Sequence, residues 1–319
     1  MKRMTKYAAI FLALLLCLTA LCGCGSKEPQ DTETPGDLQP GQEQPDDQEQ
    51  PSSPELLGDT IVCSDGNTTL RFERNAAGNW QWKDGPDFPL DATYVEGLAE
   101  CAKQMLAAQP IVTDKTPEDL DLDSDKKYMT VTDEKGHKVT WYLGEQDEAG
   151  RYYMRLAKEE TSAIYLAPAE LTDQISRSIY DMMLLPQLHE MAADKIRSVT
   201  VSADGKSVTT TPNSSGVWVV GSSNVNEKAQ PMVQAISRMQ IDSCVDYQPT
   251  AGAVSICGFD TPRATLAVDF VSAVGAEHAL SLSIGAKLQD GYCVRVGDDS
   301  TIYLMKASVI EPVLAFIQS

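Results

Sequence analysis

Gly150-Arg151-Tyr152-Tyr153-Met154-Arg155-Leu156 and Asp290-Gly291-Tyr292-Cys293-Val294-Arg295-Val296 are one pattern written twice, with a Gly, a Tyr and an Arg in step. Side chains alternate across a strand, so Tyr152, Met154 and Leu156 share one face while Tyr153 and Arg155 take the other. In the second stretch Tyr292, Val294 and Val296 share a face, and Cys293 and Arg295 point away. The doubling continues outward. Ser64-Asp65-Gly66 returns as Ala203-Asp204-Gly205, a turn signal between two strand-like runs. Gly78-Asn79-Trp80-Gln81-Trp82 returns as Gly216-Val217-Trp218-Val219-Val220, and Trp141-Tyr142-Leu143-Gly144 as Leu282-Ser283-Ile284-Gly285. A helical stretch from Tyr94 to Leu106 answers one from Ala229 to Ile241. Ala163-Ile164-Tyr165-Leu166 answers Thr301-Ile302-Tyr303-Leu304, and a closing helix follows both. Across the pairs Trp80/Trp218, Gly144/Gly285, Arg155/Arg295 and Tyr165/Tyr303 the offset stays between 138 and 141 residues. The expectation is two tandem repeat domains, residues 58–190 and 191–319. Short strands joined by Gly-Asp turns argue for α+β, each copy a mostly antiparallel sheet with helices packed on one face.

The N-terminus reads as an address. Lys2, Arg3 and Lys6 precede an apolar run from Ala8 to Leu21, which ends at Gly23 and Cys24. The run is shorter than the roughly 20 residues a spanning helix needs, and the order is that of a secretory signal. Leu21-Cys22-Gly23-Cys24 resembles the lipobox of bacterial lipoproteins. That resemblance implies a signal peptide over 1–23, cleavage before Cys24 and lipid attachment at Cys24. A plain secretory signal or an uncleaved anchor is the alternative. Residues 24–57 are Pro, Gln, acid, Gly and Ser with little to bury, an expected disordered tether. The formal charge of −20 leaves no basic footprint for nucleic acid, and anionic lipid would repel such a surface. Membrane partnership must therefore come from acyl chains on Cys24. The expected location is the extracytoplasmic face of the cell membrane.

Gly-x-Trp, Leu122-Asp123 and Phe259-Asp260-Thr261-Pro262, the strands ending in Gly144 and Gly285, Gly-x-Tyr-x-x-Arg and Ile-Tyr-Leu recur together. This set resembles the bacterial family catalogued as domain of unknown function 4340, over roughly residues 58–319 in two copies. The resemblance implies an exported or membrane-attached protein, in some cases a companion of ABC-type transporters. It implies no activity, and no functional residue is carried over.

Candidate sites come from the residues. Arg155 with Tyr165, and Arg295 with Tyr303, form either an anion-reading patch or an Arg that pairs with a carboxylate and stacks on Tyr. Trp80 and Trp218 are core rings or parts of a glycan platform. The run Glu118–Asp125 alternates acids in a way that hints at calcium. It lacks the Gly and Glu of an EF-hand loop, so it reads as a solvated loop or a weak ion site. His137, His189 and His278 fall at no shared position of the repeat. Cys63, Cys101, Cys244, Cys257 and Cys293 show no C-x-x-C spacing. They read as buried apolar side chains, with a Cys244–Cys257 disulfide or a Cys–His pair of Cys257 or Cys293 with His278 as alternatives. No metal or cofactor is implied. The leading expectation is a non-catalytic envelope lipoprotein that binds or braces a membrane complex through an envelope protein partner. The alternatives are a substrate-capturing lipoprotein for a transporter and an envelope enzyme.

Overall fold

The computed structural model describes residues 58–157 and 163–318. The expected signal, Cys24 and the tether lie outside the described residues.

The first half opens with a hairpin of β1 (Gly58–Asp65) and β2 (Thr69–Arg74). Asp65 closes its turn, the carboxylate accepting the Asn67 and Thr68 N–H groups at 2.8 and 2.7 Å. After β3 (Trp80–Trp82), Asp91 caps α1 (Ala92–Ala107) by accepting the Thr93 N–H at 3.1 Å. Val95, Leu98, Cys101 and Met105 recur at helical spacing, so α1 lays an apolar stripe on the sheet. The chain returns as β4 (Lys127–Asp133), β5 (Lys138–Gln146), β6 (Tyr152–Leu156) and β7 (Tyr165–Leu166), then closes with α2 (Ala169–Ile175). The strand order is β3-β2-β1-β4-β5-β6-β7, and neighbours pair antiparallel.

The second half runs β8 (Ile196–Ala203), β9 (Lys206–Pro212), β10 (Trp218–Val220), β11 (Ser223–Asn224), α3 (Asn226–Ile236), β12 (Ser243–Asp246) and α4 (Ala251–Ile256). It ends with β13 (Ala264–Val271), β14 (Glu277–Leu288), β15 (Gly291–Val296), β16 (Ile302–Lys306) and α5 (Ala307–Gln318). Its sheet is ordered β11-β10-β9-β8-β13-β14-β15-β16-β12. Without the two flanking strands, β11 and β12, this is the order of the first sheet. The expected Asp204-Gly205 turn is a two-residue hairpin loop, with φ of 50° and 74° and Ala203 facing Lys206. α3 stops at Ile236 rather than Ile241. Met239 and Ile241 still fill the same core from an irregular segment, so apolar spacing outruns the helix.

Two main cores follow, one between the first sheet and α1 with α2, the other between the second sheet and α3 with α5. The opposite faces are covered as well, which departs from the expectation of helices on one face. Leu120 and Leu122 pack with Ile164 and Tyr153 behind the first sheet. Behind the second, Val254 of α4 joins Cys257, Phe259, Cys293 and Ile302. The cause is in β15, where Gly291, Tyr292, Cys293 and Val294 are buried in succession, so both faces of that strand need a cover.

Candidate functional site

Aromatic rings and carboxylates converge where the first half crosses to the second. Phe88, just beyond β3, sits in the core of the second sheet together with Met183 and Met191. Its ring meets Trp82 edge-on at 5.6 Å and Tyr247 edge-on at 5.2 Å, and stacks with Tyr180 at 6.3 Å. Such pairs add to area burial because ring edges and faces carry opposite partial charge. The Tyr180 hydroxyl donates to Asp246 at 3.0 Å, and the Tyr247 hydroxyl donates to the Asp87 carbonyl at 2.8 Å. A short antiparallel bridge, Leu90 to Met183, and the bond from Leu184 N–H to the Pro89 carbonyl at 2.7 Å tie the linking segments together.

Beside this joint, the Tyr303 hydroxyl donates to Asp299 at 2.7 Å, and the Thr301 N–H donates to the same carboxylate at 2.8 Å. Thr301 Oγ1 donates in turn to the Tyr247 carbonyl at 3.2 Å. Burial, and then the bond to Asp299, push the Tyr303 phenol above its ordinary range. Burial also acts to raise Asp299, but the Thr301 and Tyr303 bonds and the nearby Arg295 charge outweigh it and hold the carboxyl low. Burial, then Asp246 and Asp299, push the Cys244 thiol up to about 12. These shifts hold phenol and thiol protonated and Asp299 ionised and already bonded. That is the chemistry of a fastened joint; proton transfer at neutral pH calls for groups poised near 7.

The expected Arg–Tyr patches are divided by the sheets. Tyr165 pairs with Met154 and Tyr303 with Val294, so both rings join those residues in the main cores. Arg155 and Arg295 alternate to the other face. The guanidinium of Arg155 lies 4.6 Å from the Tyr142 ring, its cross-strand partner, and Nε donates to the Leu122 carbonyl at 2.6 Å. Ser283 takes the place of Tyr142 beside Arg295, whose guanidinium instead lies 4.6 Å over Phe259. Each Arg thus holds down the segment that crosses the outer face. Residue spacing does not reveal this, because it carries no register for the last strand pair, in which Tyr165 faces Met154 and Tyr303 faces Val294.

Trp80 and Trp218 are 6% and 3% exposed and belong to the two cores, with Arg74 4.3 Å over the Trp80 ring. A glycan platform needs open ring faces, and these rings are covered. Trp218 nevertheless shows an edge to a pocket lined by Asp194, Arg197, Asn213, Gln230 and Gln234, with a volume of 640 Å³. In the acidic run, Leu120 and Leu122 turn inward while Asp119, Asp121 and Asp123 face solvent. Asp119 accepts from the Thr116 N–H and hydroxyl, both at 2.9 Å, so the alternation is that of a loop pinned by its leucines.

His189 and His278 meet with ring centroids 4.3 Å apart, and His278 stacks on Phe270. His278 lies six residues along β14 from Ile284, the neighbour of Val294, which puts it roughly 20 Å from Cys293. The Cys–His pair is therefore not assembled. Nor do Cys244 and Cys257 meet: Cys244 lies in the main core, and Cys257 lies on the other face against Cys293. Among the described residues no three His, Cys, Asp or Glu side chains gather as a metal-holding group.

Residues 80–262 match the family described as Domain of unknown function (DUF4340). The chain belongs to this family. The DUF4340 match begins at Trp80 on β3 and ends at Pro262, just ahead of β13, so it spans the joint between the sheets. No curated protein and no solved structure matches the chain.

Proposed function

We propose that this DUF4340 protein is a lipid-anchored assembly module of the extracytoplasmic membrane surface. In this reading residues 1–23 are a signal peptide, Cys24 carries the acyl chains and residues 24–57 are a tether. Residues 58–190 and 191–319 are two tandem copies of one domain that bind an envelope protein partner, such as an ABC-type transporter, without catalysis. The observation that carries it is the doubled strand order joined by the Phe88 aromatic cluster, which supports a stiff scaffold rather than a hinged enzyme cleft. No helix among the described residues is long and apolar enough to cross a membrane, so attachment in this reading rests on Cys24 alone. The test is mass spectrometry of the N-terminal peptide of the full chain from producing cells, with cross-linking in intact membranes. A diacylated or triacylated Cys24 and a recurrent membrane-protein partner are expected. An unmodified Cys24 sinks the anchor, and an empty cross-linking map sinks the assembly role.

A second reading, capture of a small polar solute for a transporter, is favoured by the pocket beside Trp218, whose amides and charged Arg197 and Asp194 side chains suit a hydroxyl-rich or zwitterionic ligand. Saturable thermal stabilisation by one member of a metabolite library, lost in Gln234→Ala, would favour this reading; a flat response favours assembly.

A further inference from the structure

Cys257 and Cys293 are separated by the whole β13–β14 hairpin, yet they meet behind the second sheet. α4 ends in a tight stop: the Gly258 N–H bonds to the Ser255 carbonyl at 2.9 Å, and the Phe259 N–H bonds to the Val254 carbonyl at 3.0 Å. Gly258, at φ +76°, supplies the left-handed residue that this stop requires. The stop turns Cys257 and Phe259 down onto the sheet.

β14 bulges beneath them. Ile284 faces Val294 and Lys287 faces Tyr292, which leaves Gly285 and Ala286 together opposite Cys293. The Cys257 carbonyl accepts the Ala286 N–H at 2.7 Å, so the backbone of Cys257 is bound to the residues that face Cys293. Their side chains lie in one small buried cluster with Phe259 and Ile302. In the first half Leu120 and Tyr153 hold the corresponding places, behind the bulge at Gly144 and Glu145. Two small thiols thus stand where the other half packs two large side chains.

We propose that Cys257 and Cys293 are a disulfide site that cross-links the α4 segment to β15. The proposal does not depend on the function argued above. The oxidant is a dithiol-exchanging disulfide, with oxidised glutathione as the probe. One cysteine thiolate attacks the glutathione disulfide and expels one glutathione thiolate. The second cysteine then attacks the mixed disulfide and expels the other. Two protons and two electrons pass from the cysteine pair to two glutathione molecules. Both thiols are almost fully buried, and Cys293 is pushed up to about 12 by burial and then by Cys257. Thiolate is therefore scarce once the cap has closed, and the bond forms during folding, while α4 is still open.

The experiment uses the full chain, unfolded in urea and diluted into a buffer of oxidised and reduced glutathione. Free thiols are then alkylated and the folded fraction is mapped by mass spectrometry. Digestion must include an Asp-specific protease, because cleavage at Asp246 separates Cys244 from Cys257. A Cys257–Cys293 cross-link is expected, with Cys63, Cys101 and Cys244 alkylated. Alkylated Cys257 and Cys293 in the folded fraction, or either of them paired with another cysteine, overturn the proposal. Where refolding is poor, the chain alkylated at cell lysis gives the same readout. Adding dithiothreitol should lower the melting midpoint of the oxidised protein by roughly 5–10 °C, from the loop length closed. It should leave a Cys257→Ala/Cys293→Ala double variant unmoved. An oxidised wild type that ignores the reductant also overturns the proposal.

Discussion

Gly144 and Gly285 occupy positions where a single methyl group decides whether the cover of the outer face fits. A Cβ at Gly144 would collide with the Leu120 carbonyl oxygen, and one at Gly285 with the Cys257 carbonyl oxygen. Backbone rather than side chain is the obstacle, so relief requires moving the whole crossing segment. Gly144→Ala and Gly285→Ala should each cost about 1–3 kcal/mol in urea unfolding, whereas Gly136→Ala, where nothing lies near, probes only backbone strain. Tyr303 gives a residue-scale prediction of a different kind. Asp299 is held below its ordinary 3.8, so its contribution is complete above that pH and drains away as pH falls through the lowered folded value. Tyr303 is raised above 10.0, so its share is complete below pH 10 and is lost as pH climbs through the raised folded value. Tyr303→Phe should cost about 1 kcal/mol at neutral pH, since Asp299 is open to water that replaces the lost donor. It should also flatten both the acid and the alkaline limb of the stability curve. An unchanged acid limb would show that the Tyr303–Asp299 bond contributes nothing to folding.

At the scale of elements, the two halves differ most in what crosses the outer face: a three-residue turn, Glu118–Leu120, in one and α4 in the other. α4 has six residues, none of them fully buried, so apart from the contact of Val254 with the outer cluster it is held by its ends. Thr250 accepts the Ala253 N–H at 3.3 Å at the start, and the Gly258 stop holds the finish. Thr250→Ala should therefore cost about 1 kcal/mol and speed amide hydrogen exchange over residues 251–257 far more than elsewhere. Exchange that rises evenly across the second sheet would contradict this local reading. Much of this layer was legible in the residues. Period-two alternation puts Met154 and Arg155, and likewise Val294 and Arg295, on opposite faces, Asp204-Gly205 announces its hairpin, and the apolar spacing brackets α1 to within two residues of either end. That Arg155 stacks on Tyr142 rather than meeting Tyr165 is not legible, because alternation fixes faces within a strand and says nothing of register between strands. Cover by α4 was obscured because Ala251–Ile256 carries no amphipathic stripe. The approach of Cys257 to Cys293 depends on a bulge that Gly285 permits but does not specify.

For the molecule as a whole, the question is whether two cores melt as one. Each sheet has its own apolar layer, yet the second is completed by Phe88, Met183 and Met191, which precede its first strand. Trp82 packs against both layers, and the Tyr180–Asp246 and Tyr247–Asp87 bonds close contacts between residues 66 and 160 positions apart. No local pattern in the sequence announces contacts of that separation. Coupling of this kind makes either half more costly to open alone, because exposing one core strips the ring cluster from the other. The intact protein should therefore show one calorimetric transition, with matching calorimetric and van 't Hoff enthalpies. Phe88→Ala removes the ring at the centre of the cluster and leaves Trp82, Tyr180 and Tyr247 facing a cavity. The expected loss is about 3–5 kcal/mol, accompanied by separation into two transitions as the halves become independent. Tyr247→Phe, which keeps the ring and deletes only the bond to the Asp87 carbonyl, should cost about 1 kcal/mol and preserve the single transition. If Phe88→Ala lowers the midpoint yet still melts in one step, the halves are joined by something other than this cluster, and the stiff scaffold loses its physical basis.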